Sequence, residues 1–156
     1  MTDGSKFSLA SAQRASVEGQ LAAWVGNFLA SPGSGNAELA AALAMKGTTY
    51  LGPIQFALDQ LTPMAGPDGD DVVVPVAKED WESDVGDMVE SVEHGWQPPP
   101  LLVSHHEGKY FLEDGNHRCE TLRRAGDSHA WAILLFADEI ERDRFLQELG
   151  DTSTRN

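Results

Sequence analysis

Only one of the 156 residues is a cysteine, Cys119, so the chain cannot close an internal disulfide. It need not live in an oxidising compartment. Basic residues are scarce as well: 11 Lys and Arg stand against 25 Asp and Glu, a formal net charge of −14. Affinity for duplex DNA comes largely from Lys and Arg neutralising phosphates, so duplex DNA is not expected as a partner. A small phosphorylated ligand stays in play, because it asks only for a local positive pocket. Long apolar runs are missing too. None approaches a membrane span, and the opening Met1-Thr2-Asp3-Gly4-Ser5-Lys6 lacks the charged and apolar regions of a signal peptide. We therefore expect no membrane partner and a cytoplasmic location. What remains, 41% apolar residues with 8% aromatics, is enough for a folded core and excludes a disordered chain.

The apolar residues change texture along the chain. Val17, Leu21, Trp24, Val25, Phe28 and Leu29 fall at helical spacing and predict a helix over 8–30. Ser31-Pro32-Gly33-Ser34-Gly35 ends it. Asn36 is then a capping residue for a second helix over 37–46, closed by Gly47. From Tyr50 onward Ile54, Phe56 and Leu58 alternate as in a strand. A loop rich in Pro, Gly and Asp follows, then a short strand at Val72-Val73-Val74-Pro75. Trp81, Val85, Met88, Val89 and Val92 mark an amphipathic helix, capped by Asp80 and stopped by Gly95. Pro98-Pro99-Pro100 leads into the strand Leu101-Leu102-Val103. His105-His106-Glu107-Gly108 reads as a hairpin turn and Lys109–Glu113 as the returning strand. Ala130–Phe136 suits a strand buried on both faces. Asp138 and Glu141 have capping-box spacing for a last helix through Leu149, and Asp151–Asn156 is expected to fray.

One cluster carries chemistry. Asp114-Gly115-Asn116-His117-Arg118 stands where the returning strand gives way to a short helix ended by Gly126. Glycine admits backbone angles that other residues resist, and lets a ligand come close. The first amides of a helix have no internal partner, and with the helix dipole they attract an anion. Cations at that end are unfavourable by roughly 0.3–1 kcal/mol each, and a bound phosphate reverses the sign. Gly115, Asn116, His117, Arg118 and Cys119 are accordingly the candidate phosphate-binding residues. His117 can also shuttle a proton. Asp114 can hold a magnesium ion or take a proton from a hydroxyl, which makes Asp114 and His117 the catalytic candidates and Asp114 the metal candidate. Plainer roles exist for the same residues. Asp-Gly is a common turn pair, Asn116 a common helix cap, and Arg118 can pair with Glu120 or another carboxylate. Cys119 suits a small core position because Leu122, three residues on, is apolar. His105 and His106 read as exposed turn residues, and no pair of histidines has the helical spacing of zinc ligands.

The order of parts from 54 to 149 resembles the ParB/sulfiredoxin superfamily, also called ParB-like nuclease domains. The likeness lies in the helix ending Ser91-Val92-Glu93-His94-Gly95, the Pro-led strand, the hairpin and then Asp114-Gly115-Asn116-His117-Arg118. The resemblance implies an α+β fold over 48–150, a small mixed β-sheet with flanking helices; outside it, the helical pair forms an N-terminal extension over 1–47 and 151–156 is expected as a disordered tail. It also implies a nucleotide, ATP, ADP or CTP, held with magnesium at the strand-turn-helix. Sulfiredoxins carry a reactive cysteine just before His-Arg, where this chain has Asn116. The DNA-clamping partition proteins have a following helix-turn-helix module, which does not fit a chain this short and acidic. The Asp-Gly-His-His-Arg of the free serine kinases is the best of the three matches, and it gives Asp114 the task of activating a substrate hydroxyl. Those kinases add a glutamate after the first strand, where Leu58–Ala65 offers alanine; Asp68, Asp70, Asp71 or Glu82 are the substitutes at hand. Two readings stay open: a phosphotransferase or NTPase acting on a small hydroxyl substrate, or a non-catalytic module meeting a protein partner through residues 8–46. A nuclease is disfavoured by the acidity.

Overall fold

The unbroken apolar run near the C-terminus becomes the inner strand on which both layers of the molecule pack. The computed structural model describes residues 7–31, 36–63, 65–66, 74–75, 78–93, 99–106 and 108–154. Its sheet runs in the order β1 (Thr49–Ala57), β7 (His129–Phe136), β5 (Leu101–His106), β6 (Lys109–Asp114), β2 (Leu61–Pro63). β7 pairs antiparallel with β1 and parallel with β5, while β6 pairs antiparallel with β5 and parallel with β2, so the sheet is mixed. A two-stranded ribbon of β3 (Ala65–Gly66) and β4 (Val74–Pro75) lies apart from it.

Alternation along the strands sends side chains to two cores. Leu102, Ile133 and Leu135 face helices α1 (Leu9–Val17), α2 (Leu21–Ala30) and α3 (Ala37–Lys46). Leu101, Val103, Leu112, Leu134 and Phe136 face the other way, toward Cys119 of α5 (Asn116–Arg124) and Phe145 of α6 (Glu139–Thr154). Helix α4 (Lys78–Glu93) packs against α5. Arg124 joins the two, donating to both carboxylate oxygens of Glu82 at 2.8 and 3.0 Å. The sheet with helices ahead of it and around it is the α+β arrangement expected from the sequence. No helix among the described residues is long and apolar enough to cross a membrane.

Several local expectations change. The helix expected over 8–30 divides, because Gly19 adopts φ 73 between α1 and α2. The break shifts the helical phase, and Val17, counted in the apolar stripe, is 89% exposed. Strand β5 continues through His106, paired with Lys109, so His105 and His106 are strand residues and not turn residues. His105 lies beside the rings of Tyr110 and Phe136, and its Nδ1 pairs with Glu141. Helix α4 begins at Lys78, which places Asp80 inside it; Gly95 and residues 72–73 lie outside the described residues. Gly115 occupies the N-cap of α5, so Asn116 is its first helical residue and not the cap. Asn36 stands at the N-cap of α3 without a side-chain capping bond. Helix α6 runs past Leu149 to Thr154, into the stretch expected to fray. Its box forms one residue wide of the usual pattern: the Glu141 amide donates to Asp138 at 2.9 Å, and the Glu141 carboxylate accepts from the Ala137 amide at 3.3 Å.

Candidate functional site

β6 buries Leu112 completely and ends at Asp114, half-buried at the end of the sheet. The chain must then turn sharply, because α5 lies on the sheet face that Leu112 points to. Gly115 makes that turn at φ 105, ψ 25, a region closed to most side chains. Space forbids a side chain as well. A Cβ there would stand 2.7 Å from Leu101 Cδ2 and 2.9 Å from Arg118 Nη2. The Gly115 carbonyl accepts from the Cys119 amide at 2.8 Å, which closes the first turn of α5. The amides of Asn116, His117 and Arg118 precede that bond and find no acceptor inside the helix. They point out of the helix end, where its dipole is positive.

Arg118 folds back over this turn. Its Nη2 donates to Asp114 Oδ2 at 3.1 Å and to the Pro100 carbonyl at 3.4 Å. The guanidinium carbon lies 5.4 Å from the centroid of the Phe28 ring on α2. Its Nε is buried and has no hydrogen-bond partner among the described residues. Side-chain exposure is only 12% for Arg118 and 14% for Asp114, so this pair is largely out of water. Glu120, the other carboxylate considered for Arg118, is taken by Arg124 at 2.9 Å.

The sequence-predicted residues therefore divide by role. Asp114, Gly115 and Arg118 come together with the backbones of Asn116 and His117, whose side chains lie outside the described residues. Cys119 stands apart: its amide is engaged by Gly115, and its thiol is 2% exposed in the core. Burial pushes that thiol's pKa up, against a weaker downward pull from Arg123, so it is held protonated. Among the described residues no group of three His, Cys, Asp or Glu side chains could hold a metal by itself. Asp114 alone suits magnesium only in company with phosphate oxygens, the usual way that ion is bound. β3, which contains Ala65, packs on α5. Two neighbours carried no sequence signal, the Phe28 ring and the Pro100 carbonyl, because both meet Arg118 only through the fold. At the opposite end of the hairpin a separate cavity of about 720 Å³ is lined by His105, Tyr110, Glu141, Arg144 and Phe145 among others.

No family model and no curated protein sequence matches the chain. Among solved structures it is similar to a mutant free serine kinase in complex with ADP, at 23% identity over 52% of this chain and 30% of that one, with a TM-score of 0.40. It is similar to sulfiredoxin from Arabidopsis thaliana at 15% identity, over 56% of this chain and 83% of that one, TM-score 0.37. A Pnob8-like ParB-N domain matches at 20% identity over 62% of this chain and 34% of that one, TM-score 0.38. The chain thus spans about a third of the kinase and of the ParB-N chain.

Proposed function

We propose that this chain binds the phosphates of a small nucleotide, ATP, ADP or CTP, at the Gly115 turn, with the amides of Asn116, His117 and Arg118 as donors. The observation that carries this reading is Arg118: a guanidinium only 12% exposed, packed on the turn at the positive end of α5, its buried Nε without a partner among the described residues. Stability alone disfavours that placement. Burial removes the cation from water, an unmade bond to a buried donor costs about 1–3 kcal/mol, and the helix dipole opposes the charge. Asp114 offsets the charge along one edge of the guanidinium and leaves Nε unbonded. A phosphate at the helix end would pair with the cation and reverse the sign of the dipole term.

On the enzyme reading, Asp114 takes the proton of a small hydroxyl substrate while the amides and Arg118 hold the transferring phosphate. Phosphoryl transfer asks mainly for positioning and charge stabilisation, which these groups supply. Magnesium, when bound with the nucleotide, would neutralise phosphate charge, with Asp114 as its candidate ligand. His117 is the proton-shuttle candidate. One observation favours the second reading, a non-catalytic module whose ligand acts as a switch for a protein partner: Asp114 is already engaged by Arg118, and Ala65 stands where the kinases use glutamate. Titration calorimetry with ADP, AMP, ATP and CTP, with and without magnesium, tests the shared claim. ADP and AMP come first because free serine kinase structures carry them. Binding that Arg118→Met weakens at least tenfold supports the claim, and no heat with any of the four at millimolar concentration removes it. Turnover abolished in Asp114→Asn then selects the enzyme.

A further inference from the structure

We infer that Phe28, on a helix outside the motif region, is a positioning residue for phosphate recognition, because its ring holds the Arg118 guanidinium against the Gly115 turn. This rests on the nucleotide reading and extends it by making α2 a wall of the site. α2 and α5 cover opposite faces of the sheet. They meet where β5 begins and β6 ends, and there Arg118 bridges them, touching Pro100 and Asp114 on one side and Phe28 on the other. An arginine side chain has many rotamers, and two hydrogen bonds through the single atom Nη2 still let its plane swing. An aromatic face restricts that freedom, since the ring attracts a cation lying over it.

The ring is itself fixed. Phe28 is 4% exposed and stacks on Trp24 with centroids 5.2 Å apart and planes 18° from parallel. Phe7 meets it edge-on at 5.6 Å. The Trp24 indole N–H donates to Ser11 Oγ at 2.9 Å, and Ser11 belongs to the capping box that starts α1. A chain of contacts thus runs from the start of α1 through Trp24 and Phe28 to the guanidinium.

The test compares wild type, Phe28→Leu, Arg118→Met and the double variant for pyrophosphate affinity and for the Arg118 Nε–H resonance. Phe28→Met replaces Phe28→Leu should the latter not fold. We expect Phe28→Leu to move that resonance out of the ring-shifted region and to weaken pyrophosphate about three- to fivefold. In the Arg118→Met background the same change should have no further effect on affinity. An unmoved resonance, an unchanged affinity, or a loss that persists without Arg118 overturns the inference. Should wild type bind neither pyrophosphate nor any nucleotide, the nucleotide reading and its phosphate role for Phe28 fall together. The resonance then shows separately whether the ring holds the guanidinium.

Discussion

Replacing Gly115 by alanine bears on the turn that presents the free amides. At φ 105 an L-residue is strained, and a left-handed backbone costs roughly 1–2 kcal/mol. The new Cβ would also stand 2.7 Å from Leu101 Cδ2 and 2.9 Å from Arg118 Nη2. Leu101 is 1% exposed in the core, and relieving that contact adds about 1 kcal/mol or more. Alanine returns about 0.4–1 kcal/mol by restricting the unfolded chain. The net is about 1–3 kcal/mol of lost stability, or roughly 2–10 °C in Tm for a chain of this size. Gly126→Ala is the internal control. It shares a positive φ of 91 but has nothing within 4 Å of a Cβ, so only the backbone cost applies, about 1 kcal/mol. Urea unfolding followed by tryptophan fluorescence reads both variants. A loss for Gly115→Ala no larger than for Gly126→Ala would refute the close packing of the turn on Leu101 and Arg118.

Other outcomes follow from named contacts. Asp114→Ala strands a guanidinium with 12% exposure, so we expect a loss of about 1–3 kcal/mol in urea unfolding, partly recovered in the double variant with Arg118→Met. The Arg124–Glu82 fork is different because its side chains are 34% and 47% exposed; Glu82→Gln should cost less than about 1 kcal/mol and nothing measurable in 1 M salt. Burial raises the pKa of the Cys119 thiol above its ordinary 9.0, and those of the Tyr50 and Tyr110 phenols above 10.0. Raised values mean that the folded state keeps protons the unfolded state releases. Stability should be complete below pH 9 and fall as pH climbs through the folded-state values, and Cys119→Ala should remove the earliest part of that fall in a series of urea midpoints.

The turn itself was legible because its signals are local. A strand pattern, Asp-Gly and a helix pattern follow one another within a few residues, and they resolve into β6, Gly115 and α5. The run Ala130–Phe136 was legible for the same reason, since a strand apolar along its whole length must be covered on both faces. Gly19 was harder to weigh. A lone glycine within an apolar stripe is often tolerated, and here it breaks the helix and turns Val17 to solvent. The two histidines were misplaced because the hairpin is tighter than its polar composition suggests, with His105 opposite Tyr110 and His106 opposite Lys109. The geometry of Arg118 had no local signature. Its partners are the end of one strand, the carbonyl before another and a ring on α2, and only the packing of two layers at one end of the sheet brings them together.

Backbone amides at a helix end are visible one by one to nuclear magnetic resonance, which makes the proposed phosphate cradle directly testable. On titrating ¹⁵N-labelled protein with ADP and magnesium, we expect saturable movement centred on the amides of Asn116, His117 and Arg118, with those of α3 and the far end of β5 unmoved. Saturable binding that leaves these three amides in place, or no binding at all, would contradict a phosphate site at the Gly115 turn.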